Sequence, residues 1–549
     1  MKSKLFKISI NCIFVCLVVV FASSCTVKQT STSGDTLTIA YSGVDSLNPL
    51  IAQTWAEHSI MYLTQAQLVR FFDKNIELDA AESFKTNENY TKYTFKIKKG
   101  LTWENGNELN AEDFVYGMYC TLAPQFASPR AGGWEIIKNA KAFSSGEITD
   151  WNEVGIKALD DYTLEFNLEY PDTSFEKTIA SKHLYPIEQA FFEKISDSQT
   201  FGTSMETILS SGAYTVSDMV FDEKIVLEKN KDYWDAKNSF PTANICLLEV
   251  ADSNTQVAMF KNGEIDIIAG VDGQYNKELI ENSYKVIGGG FQFLWFNQNG
   301  KTDETSKLLS NINFRKALSY SLNRNDIALV SNTANQPANF IIDPSFTASN
   351  GKPFYLEYPV DTVPLEGNAE MANNYLKTAL AELGYSSVAE LPKIRLVTFA
   401  FDSFKNECET MMNQWKNVLG IDNIQLLQYE PSVAIGTFYS LDYDIFCITW
   451  ETNTKPTDIM QSLMNGGEAN VGLWDNDEFE VAVKDAINET DPIKQEKMVQ
   501  NAEQIFMNDC GITPLYVEGW IHAVQDYVKG YQVGNGGDGF EFQQLVINK

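Results

Sequence analysis

The residue types that most often carry catalysis or bind metals are few and scattered in this sequence. Its three histidines, His58, His183 and His522, lie far apart, so each is interpreted as a structural or surface residue. No GxSxG, HExxH or phosphate-loop pattern occurs, and we expect no catalytic residue, no metal and no cofactor. The cysteines beyond the chain start form no CxxC pair, which predicts mostly buried free thiols and leaves one disulfide open: Cys120, Cys246, Cys408, Cys447 and Cys510.

Carboxylates are the abundant ionisable groups. Asp and Glu number 73 against 42 Lys and Arg, giving a formal charge of −31. This charge would repel phosphates, so nucleic acid is excluded as a partner. Two of the carboxylates could hydrolyse glycosidic bonds if they were suitably spaced, but a sequence contains no such distance. The 44% hydrophobic and 12% aromatic content predicts a globular fold with a large core.

The first 24 residues have the pattern of a secretory signal. A basic segment (2–7) precedes an apolar run (8–21), which is short for the roughly 20 residues of a membrane-spanning helix. Cys25 follows small residues and resembles the lipidated cysteine of a bacterial lipobox; the alternative is plain secretion with an incidental cysteine. Lipidation would anchor the protein to the outer face of the cell membrane, facing the periplasm in a cell with an outer membrane, through a flexible tether at 25–35.

The segment Tyr93–Cys120 predicts a strand, a turn and a helix in succession. Tyr93, Phe95 and Ile97 alternate with polar residues, as in a half-buried strand. Glycines then favour a turn, and Asn110 with Asp113 predicts a helix N-cap.

Further along the chain, the patterns predict an α/β protein. Alternating residues predict strands at 164–168 and 265–267, and Gly288–Gly290 is a candidate hinge. A helix ending at Gly384 is predicted from one apolar face, made of Ala372, Tyr375, Leu376, Ala379, Leu380 and Leu383.

The particular residues on these elements also match a known family. Tyr93–Cys120 resembles the signature YTFxLRxGxxWxDGxPxTAEDF of the oligopeptide- and dipeptide-binding proteins of bacterial ABC importers, extracellular solute-binding protein family 5. Similar blocks follow in the same order at 154–164, 211–234, 263–266, 313–324, 514–516 and 528–531. The resemblance therefore covers nearly the whole chain after the signal.

This resemblance implies an α/β fold of two lobes, the periplasmic-binding-protein or Venus flytrap fold, with an extra subdomain inserted in the first lobe. The implied layout places lobe I at 36–69, 191–288 and 512–549, the inserted subdomain at 70–190, and lobe II at 289–511.

The resemblance also suggests residues that contact the ligand. Trp450 fits a family position that lies three residues before an Asp pairing with the peptide α-ammonium. Asn453 stands at that position here, and an amide accepts a hydrogen bond without supplying charge. Either Glu451 or Asp458 supplies the carboxylate, or the ligand has no free α-amine. The alternative is a solvated loop in which Asn453 caps a turn.

Three further residues are candidates on the same ground. Arg130 lies where relatives often have Tyr, and could bind a carboxylate or phosphate bidentately; the alternative is an exposed ion pair. Glu57 aligns with a cleft residue and is a reserve partner for an ammonium. Tyr429 lies near the position of a pocket aromatic, whose stacking would suit a peptide side chain or a sugar.

The sequence thus predicts a lipid-anchored, monomeric, non-enzymatic solute-binding protein. It would capture an oligopeptide or related small polar ligand by lobe closure and deliver it to the transmembrane subunits of an ABC permease, which cytoplasmic ATPase subunits drive. Two alternatives remain open: a peptide-signal receptor with the same fold, and a surface lipoprotein hydrolase acting on glycans or peptides.

Overall fold

The computed structural model describes most of the chain after the predicted tether. The described residues are 36–41, 43–52, 54–72, 75–195, 197–271, 279, 283–299, 302–451, 455–467, 469–533 and 541–548. The strands are β1 (Thr36–Tyr41), β2 (Val69–Phe72), β3 (Asn75–Leu78), β4 (Ala81–Thr86), β5 (Lys92–Ile97), β6 (Ile156–Asp160), β7 (Thr163–Asn167), β8 (Tyr214–Val220), β9 (Lys224–Lys229), β10 (Asn244–Glu249), β11 (Ile267–Val271), β12 (Tyr284–Phe296), β13 (Gln336–Pro337), β14 (Ile394–Phe399), β15 (Ile424–Tyr429), β16 (Ile445–Glu451), β17 (Ile512–Val524), β18 (Val528–Lys529) and β19 (Val546–Ile547).

Helices connect and cover these strands. They are α1 (Trp55–Thr64), α2 (Ala111–Leu122), α3 (Ala140–Ser144), α4 (Phe175–Lys182), α5 (Gln189–Phe192), α6 (Ser253–Lys261), α7 (Asp303–Ser310), α8 (Ile312–Tyr320), α9 (Arg324–Ser331), α10 (Phe354–Glu357), α11 (Ala369–Leu383), α12 (Asp402–Leu419), α13 (Pro431–Tyr439), α14 (Pro456–Ser462), α15 (Asp477–Asn488) and α16 (Pro492–Asp509).

One long sheet runs through both lobes. Its strand order is β15-β14-β16-β12-β17-β11-β1-β10-β9-β8, with β13 beside β17. The two central strands, β12 and β17, pair along their length; β11 and β1 continue the sheet on one side, and β16 and β14 on the other. The outer strands include parallel pairs, which need crossover helices such as α12 between β14 and β15. The predicted two-lobed α/β fold is therefore confirmed.

Lobe II consists of β14–β16, the half of β12 that pairs with β16, the part of β17 beside that half, and the surrounding helices. Alternation along β12 divides its side chains between the two faces of the sheet. Phe293 and Trp295 join one buried cluster, and Leu294 and Phe296 join another on the opposite face. Lobe I has a separate core beneath β1 and β8–β10.

The inserted subdomain is defined here by the antiparallel sheet β4-β5-β7-β6 and the helices α2–α4 packed on it. This sheet is separate from the long one and has its own core. Tyr93, Phe95 and Ile97 are buried, as their alternation predicts. Asn110 and Asp113 form a capping box at the start of α2, so the predicted strand, turn and helix are confirmed.

Two other predicted elements have different outcomes. Helix α11 ends at Leu383 and is capped by Gly384, whose φ of 79° is left-handed, so the predicted helix end at this glycine is confirmed. The strand predicted at 265–267 is wrong in its bounds, because β11 begins at Ile267. Asp266 ends the preceding loop instead: its buried carboxylate accepts hydrogen bonds from the Thr38 N–H at 2.7 Å and the Tyr527 hydroxyl at 2.6 Å.

The glycines within β12 coincide with an irregular point in the strand. The pairing register with β17 shifts between Ile287 and Phe291, and Gly288 and Gly289 have φ of 134° and 91°. A Cβ at Gly290 would lie 2.6 Å from a carboxylate oxygen of Glu518, so a side chain there would require the Glu518 side chain to move. Movement at this point stays a prediction, as do the predicted domain boundaries.

Candidate ligand-binding site

A cavity of about 420 Å³ lies between the inserted subdomain and lobe II. This volume is within the range of pockets that hold small organic ligands. The subdomain wall consists of Gly132, Gly133, Glu135, Ile136, Lys141, Tyr170, Thr178 and Lys182. The lobe II wall includes Phe293, Trp295, Ile341, Trp450, Asp458, Ile459, Gln461, Leu463, Phe506 and Ile512.

The lobe II wall is mainly aromatic and aliphatic. Strand β12 presents Phe293 and Trp295, and the neighbouring strand β16 presents Trp450. The Trp295 and Trp450 ring centroids are 5.5 Å apart, and those of Phe293 and Trp295 are 6.0 Å apart. Because Trp295 is almost fully buried, packing holds this wall in place, and the half-buried Trp450 offers a ligand an apolar surface.

The subdomain wall is more polar. Two glycines in the short helical turn Ala131–Trp134 leave its backbone close to the cavity. Glu135 and Lys141 form an exposed ion pair at 3.1 Å. Lys182, the last residue of α4, adds a second ammonium group to this wall. The cavity thus has a mainly apolar wall on the lobe II side, which also includes Asp458, and a more charged wall on the subdomain side.

Two polar contacts join these walls. The Tyr170 hydroxyl donates to the Gln461 side-chain oxygen at 2.9 Å. Nearby, the Lys455 ammonium forms an ion pair with Asp172, and both side chains are largely buried. Burial by itself would lower the pKa of Lys455, but the negative charges of Asp172 and Asp458 outweigh burial and raise that pKa. The ammonium therefore stays charged where it bridges the subdomain and lobe II.

The residues predicted around Trp450 have separate outcomes. Trp450 lines the cavity, and Asp458 lies on the same wall. Glu451 ends β16, but its side chain is outside the description, and Asn453 is outside the described residues altogether. Cys25, the predicted lipid attachment site, also lies outside them. The ligand-binding roles of these residues stay predictions.

Arg130 is not among the cavity-lining residues. Its guanidinium donates to the backbone carbonyls of Pro49, Lys182 and His183, and lies over the Tyr185 ring at 5.0 Å. Arg130 therefore links the segment before α1 to the end of α4. These backbone contacts differ from the exposed ion pair that is the alternative interpretation of Arg130 in the sequence. Its ligand-binding role stays a prediction.

Two histidines that are far apart in sequence meet beside Arg130. The His58 and His183 rings stack with centroids 4.9 Å apart, and Nδ1 of His58 lies 3.0 Å from the Tyr185 hydroxyl. Burial and the Arg130 charge lower the pKa of His183 to about 3; burial, His183 and Arg130 lower that of His58. Both rings are therefore neutral near pH 7.

Glu57 and Tyr429 also lie away from the cavity lining. Glu57 is buried in a capping box: its carboxylate accepts from the Thr54 N–H at 2.9 Å, and its own N–H donates to the Thr54 hydroxyl at 3.2 Å. Tyr429 ends β15 and packs against the lobe II cluster that contains Trp295 and Trp450. Their predicted ligand contacts are not tested by these positions.

Three residues at or beside the cavity belong to no sequence pattern that predicts a role in the site. Tyr170, Asp172 and Lys182 occur in ordinary surface-like segments, and only folding brings the first two against α14. Among the described residues, no group of three or more histidine, cysteine or acidic side chains could hold a metal ion. No helix within the described ranges is long and apolar enough to cross a membrane.

Comparison with known proteins identifies the scaffold. The model of the protein family described as "Bacterial extracellular solute-binding proteins, family 5 Middle" matches residues 75–471, which is most of the chain. The chain belongs to this family. The predicted family is thereby confirmed.

The alignments with individual relatives cover more of the chain than residues 75–471. The oligopeptide-binding protein OppA of Bacillus subtilis is 28% identical over 484 residues, 86% of this chain and 85% of the relative. The probable deoxycholate-binding periplasmic protein YgiS of Escherichia coli is 26% identical over 478 residues, 85% of this chain and 84% of the relative. The structure of the Escherichia coli murein tripeptide-binding protein MppA superimposes with a TM-score of 0.77 at 22% identity, covering 94% of this chain and 98% of that one.

Proposed function

We propose that this protein is the substrate-binding component of an ABC importer, and that it encloses an oligopeptide between the inserted subdomain and lobe II. The observation that carries this proposal is the cavity of about 420 Å³ bounded by both parts in a chain of the solute-binding family. A ligand touching both walls stabilises the closed arrangement, because it gains contacts there that the open arrangement does not offer.

The composition of the walls supports a peptide as the ligand. Aromatic groups on lobe II offer a surface for non-polar side chains, while Asp458 is a carboxylate suited to an ammonium. Asp458 would then supply the charge that Asn453 lacks. Several relatives carry names that state oligopeptide or dipeptide binding, which agrees with this chemistry.

The remaining parts of the proposal concern location and delivery. The signal-like segment before Cys25 supports secretion followed by lipidation. Lipidation would keep the protein on the outer face of the cell membrane, beside its permease. The transmembrane and ATPase subunits would then receive and import the ligand. Mass spectrometry of the mature N-terminus tests the anchor, since lipidation predicts a diacylated Cys25.

Native mass spectrometry of the purified protein, with whatever ligand it carries from its host, tests the ligand class. We expect bound masses that differ from one another by amino-acid residue masses and that fragment as peptides. A single sugar, bile-acid or phosphate-containing mass would overturn the peptide proposal. The control is the same sample after denaturation and refolding, which should have lost the bound masses and should regain them from a peptide mixture.

A further inference from the structure

Among the residues that the structure describes, the Lys182 ammonium on the cavity wall has no acidic partner. Lys141 and Lys182 both line the cavity from the inserted subdomain. Lys141 is paired with Glu135 at 3.1 Å. Within the described part of the chain, by contrast, no ion pair involves the Lys182 ammonium. Lys141 and Glu135 therefore neutralise each other, whereas Lys182 adds a positive charge to the wall.

The backbone at Lys182 is held firmly. Its carbonyl accepts a hydrogen bond from the Arg130 guanidinium at 2.6 Å, and the next carbonyl, of His183, accepts another at 2.8 Å. A lysine at a helix C-terminus often donates hydrogen bonds to the exposed carbonyls of the last turn. Here Arg130 already bonds to two of the carbonyls at the end of α4, which leaves the Lys182 side chain available to the cavity.

The side chain of Lys182 extends over the glycine turn of the cavity wall. A Cβ added at Gly133 would lie 3.6 Å from Cδ and 3.7 Å from Nζ of Lys182. The ammonium thus sits beside Gly133, opposite the apolar wall of lobe II. A ligand packed on Trp295 and Trp450 would face it from across the cavity.

The charge of the whole chain makes this local cation important. With a formal charge of −31, the protein repels anionic ligands at long range. Across the cavity Asp458 is negative and lies near Lys455, which is itself paired with Asp172. An anionic group on a ligand would therefore be repelled from most of the surface and attracted to the subdomain wall, where Lys182 has no acidic partner among the described residues.

We propose that Lys182 binds a carboxylate of the ligand while a non-polar side chain of the same ligand packs on the aromatic wall of lobe II. This inference rests on the proposed peptide-binding function and specifies the ligands of that site: peptides with both a large apolar side chain and a carboxylate within reach of it. A C-terminal carboxylate and an Asp or Glu side chain offer the same chemistry.

Two libraries of random tetrapeptides test the proposal, one with free C-terminal carboxylates and one with C-terminal amides. Peptides retained by the protein are separated by gel filtration and quantified by mass spectrometry. We expect the wild-type protein to retain carboxylate-bearing peptides with about tenfold or greater preference, enriched in Phe, Trp, Leu and Ile. Enrichment of Asp and Glu within the amide library would identify a side-chain carboxylate as the group bound.

Three variants locate the effect. Lys182→Met should reduce the preference for carboxylates to within about twofold, and Lys182→Arg should keep most of it. Lys141→Met is the matched control, because Lys141 lines the same wall but is already paired; it should keep the preference. Equal melting temperatures would show that the variants fold alike. If only Lys182→Met melts at a lower temperature, the carboxylate preference is still measurable, because it is the ratio of the two libraries retained by that same variant.

The outcomes separate this inference from the proposed function. Retention of neither library by the wild-type protein would overturn the peptide-binding function itself. Equal retention of both libraries without enrichment of Asp or Glu in the amide library would overturn the role of Lys182 and leave peptide binding intact. A carboxylate preference that survives in Lys182→Met would do the same.

Discussion

At the scale of single residues, a buried carboxyl group in lobe II makes stability depend on pH. Glu407 of α12 is fully buried, and its carboxylate accepts a hydrogen bond from the Tyr516 hydroxyl at 3.1 Å. Burial raises the pKa of Glu407 from 4.5 to about 8, which the Tyr516 hydrogen bond opposes and the nearby Glu518 charge reinforces. At neutral pH this side chain is therefore mainly the uncharged acid.

The variant Glu407→Gln tests this assignment. Because the folded-state pKa is raised, the wild-type group contributes stability that is fully present below pH 4.5 and is lost as the pH rises through about 8. We expect the free energy of unfolding of the wild type, relative to Glu407→Gln, to fall by a few kcal/mol between pH 5 and pH 9, at about 1.4 kcal/mol per pKa unit.

Urea denaturation at several pH values measures this difference. Glu409→Gln is the matched control on the same helix, because Glu409 is 53% exposed and its variant should show no comparable change with pH. A difference between wild type and Glu407→Gln that stays constant across the range would contradict a raised pKa at Glu407.

At the scale of elements, the start of α14 and the segment between β7 and α4 hold the cavity walls together. The ion pair between Lys455 and Asp172 joins them across the cleft, and the hydrogen bond from Tyr170 to Gln461 lies beside it. These contacts require no ligand. They would favour the closed arrangement of the empty protein, and their loss would shift the balance toward the open one.

Lys455→Met tests this coupling. Removing the ammonium leaves the buried Asp172 carboxylate without its cation, so the closed arrangement should lose about 1–2 kcal/mol, roughly a tenfold change in the closed-to-open ratio. Distances between spin labels on the inserted subdomain and on lobe II, measured without ligand, report that ratio.

A matched control separates this effect from a general loss of charge. Lys484→Met removes an exposed lysine of α15 that pairs with Glu480 within one helix, and should leave the distances unchanged. Unchanged distances in Lys455→Met as well would show that the ion pair does not contribute to closure.

At the scale of the whole molecule, β12 and β17 connect the two lobes. The glycine-rich irregularity in β12 lies where that strand passes from one lobe to the other. Because each lobe has its own core, we expect the lobes to move relative to each other without exposing those cores. Small-angle scattering should therefore give a smaller radius of gyration for the protein saturated with peptide than for the empty protein.

The choice of peptide makes this measurement decisive. A peptide shown to bind should shift the scattering profile in proportion to occupancy, and a peptide that does not bind should leave it unchanged. Identical profiles at zero and full occupancy would contradict closure on the ligand.

Much of the fold could be predicted from local patterns. The alternation of Tyr93, Phe95 and Ile97, the cap at Asn110 and the helix end at Gly384 all depend on neighbours within a few residues, and the structure has them as predicted. The start of β11 was mispredicted because Asp266 is fixed by distant partners rather than by its own segment.

The site was less predictable for the same physical reason. The sequence by itself determined the α/β elements, the family and the candidacy of Trp450, since those depend on short-range pattern and ordered motifs. Only the tertiary structure decided that Arg130 bonds to backbone carbonyls, that Lys455 meets Asp172, and that Lys182 faces the cavity without an acidic partner among the described residues. Such contacts join residues tens to hundreds of positions apart, and charge and hydrogen bonding act through space, so their partners are set by the folded chain.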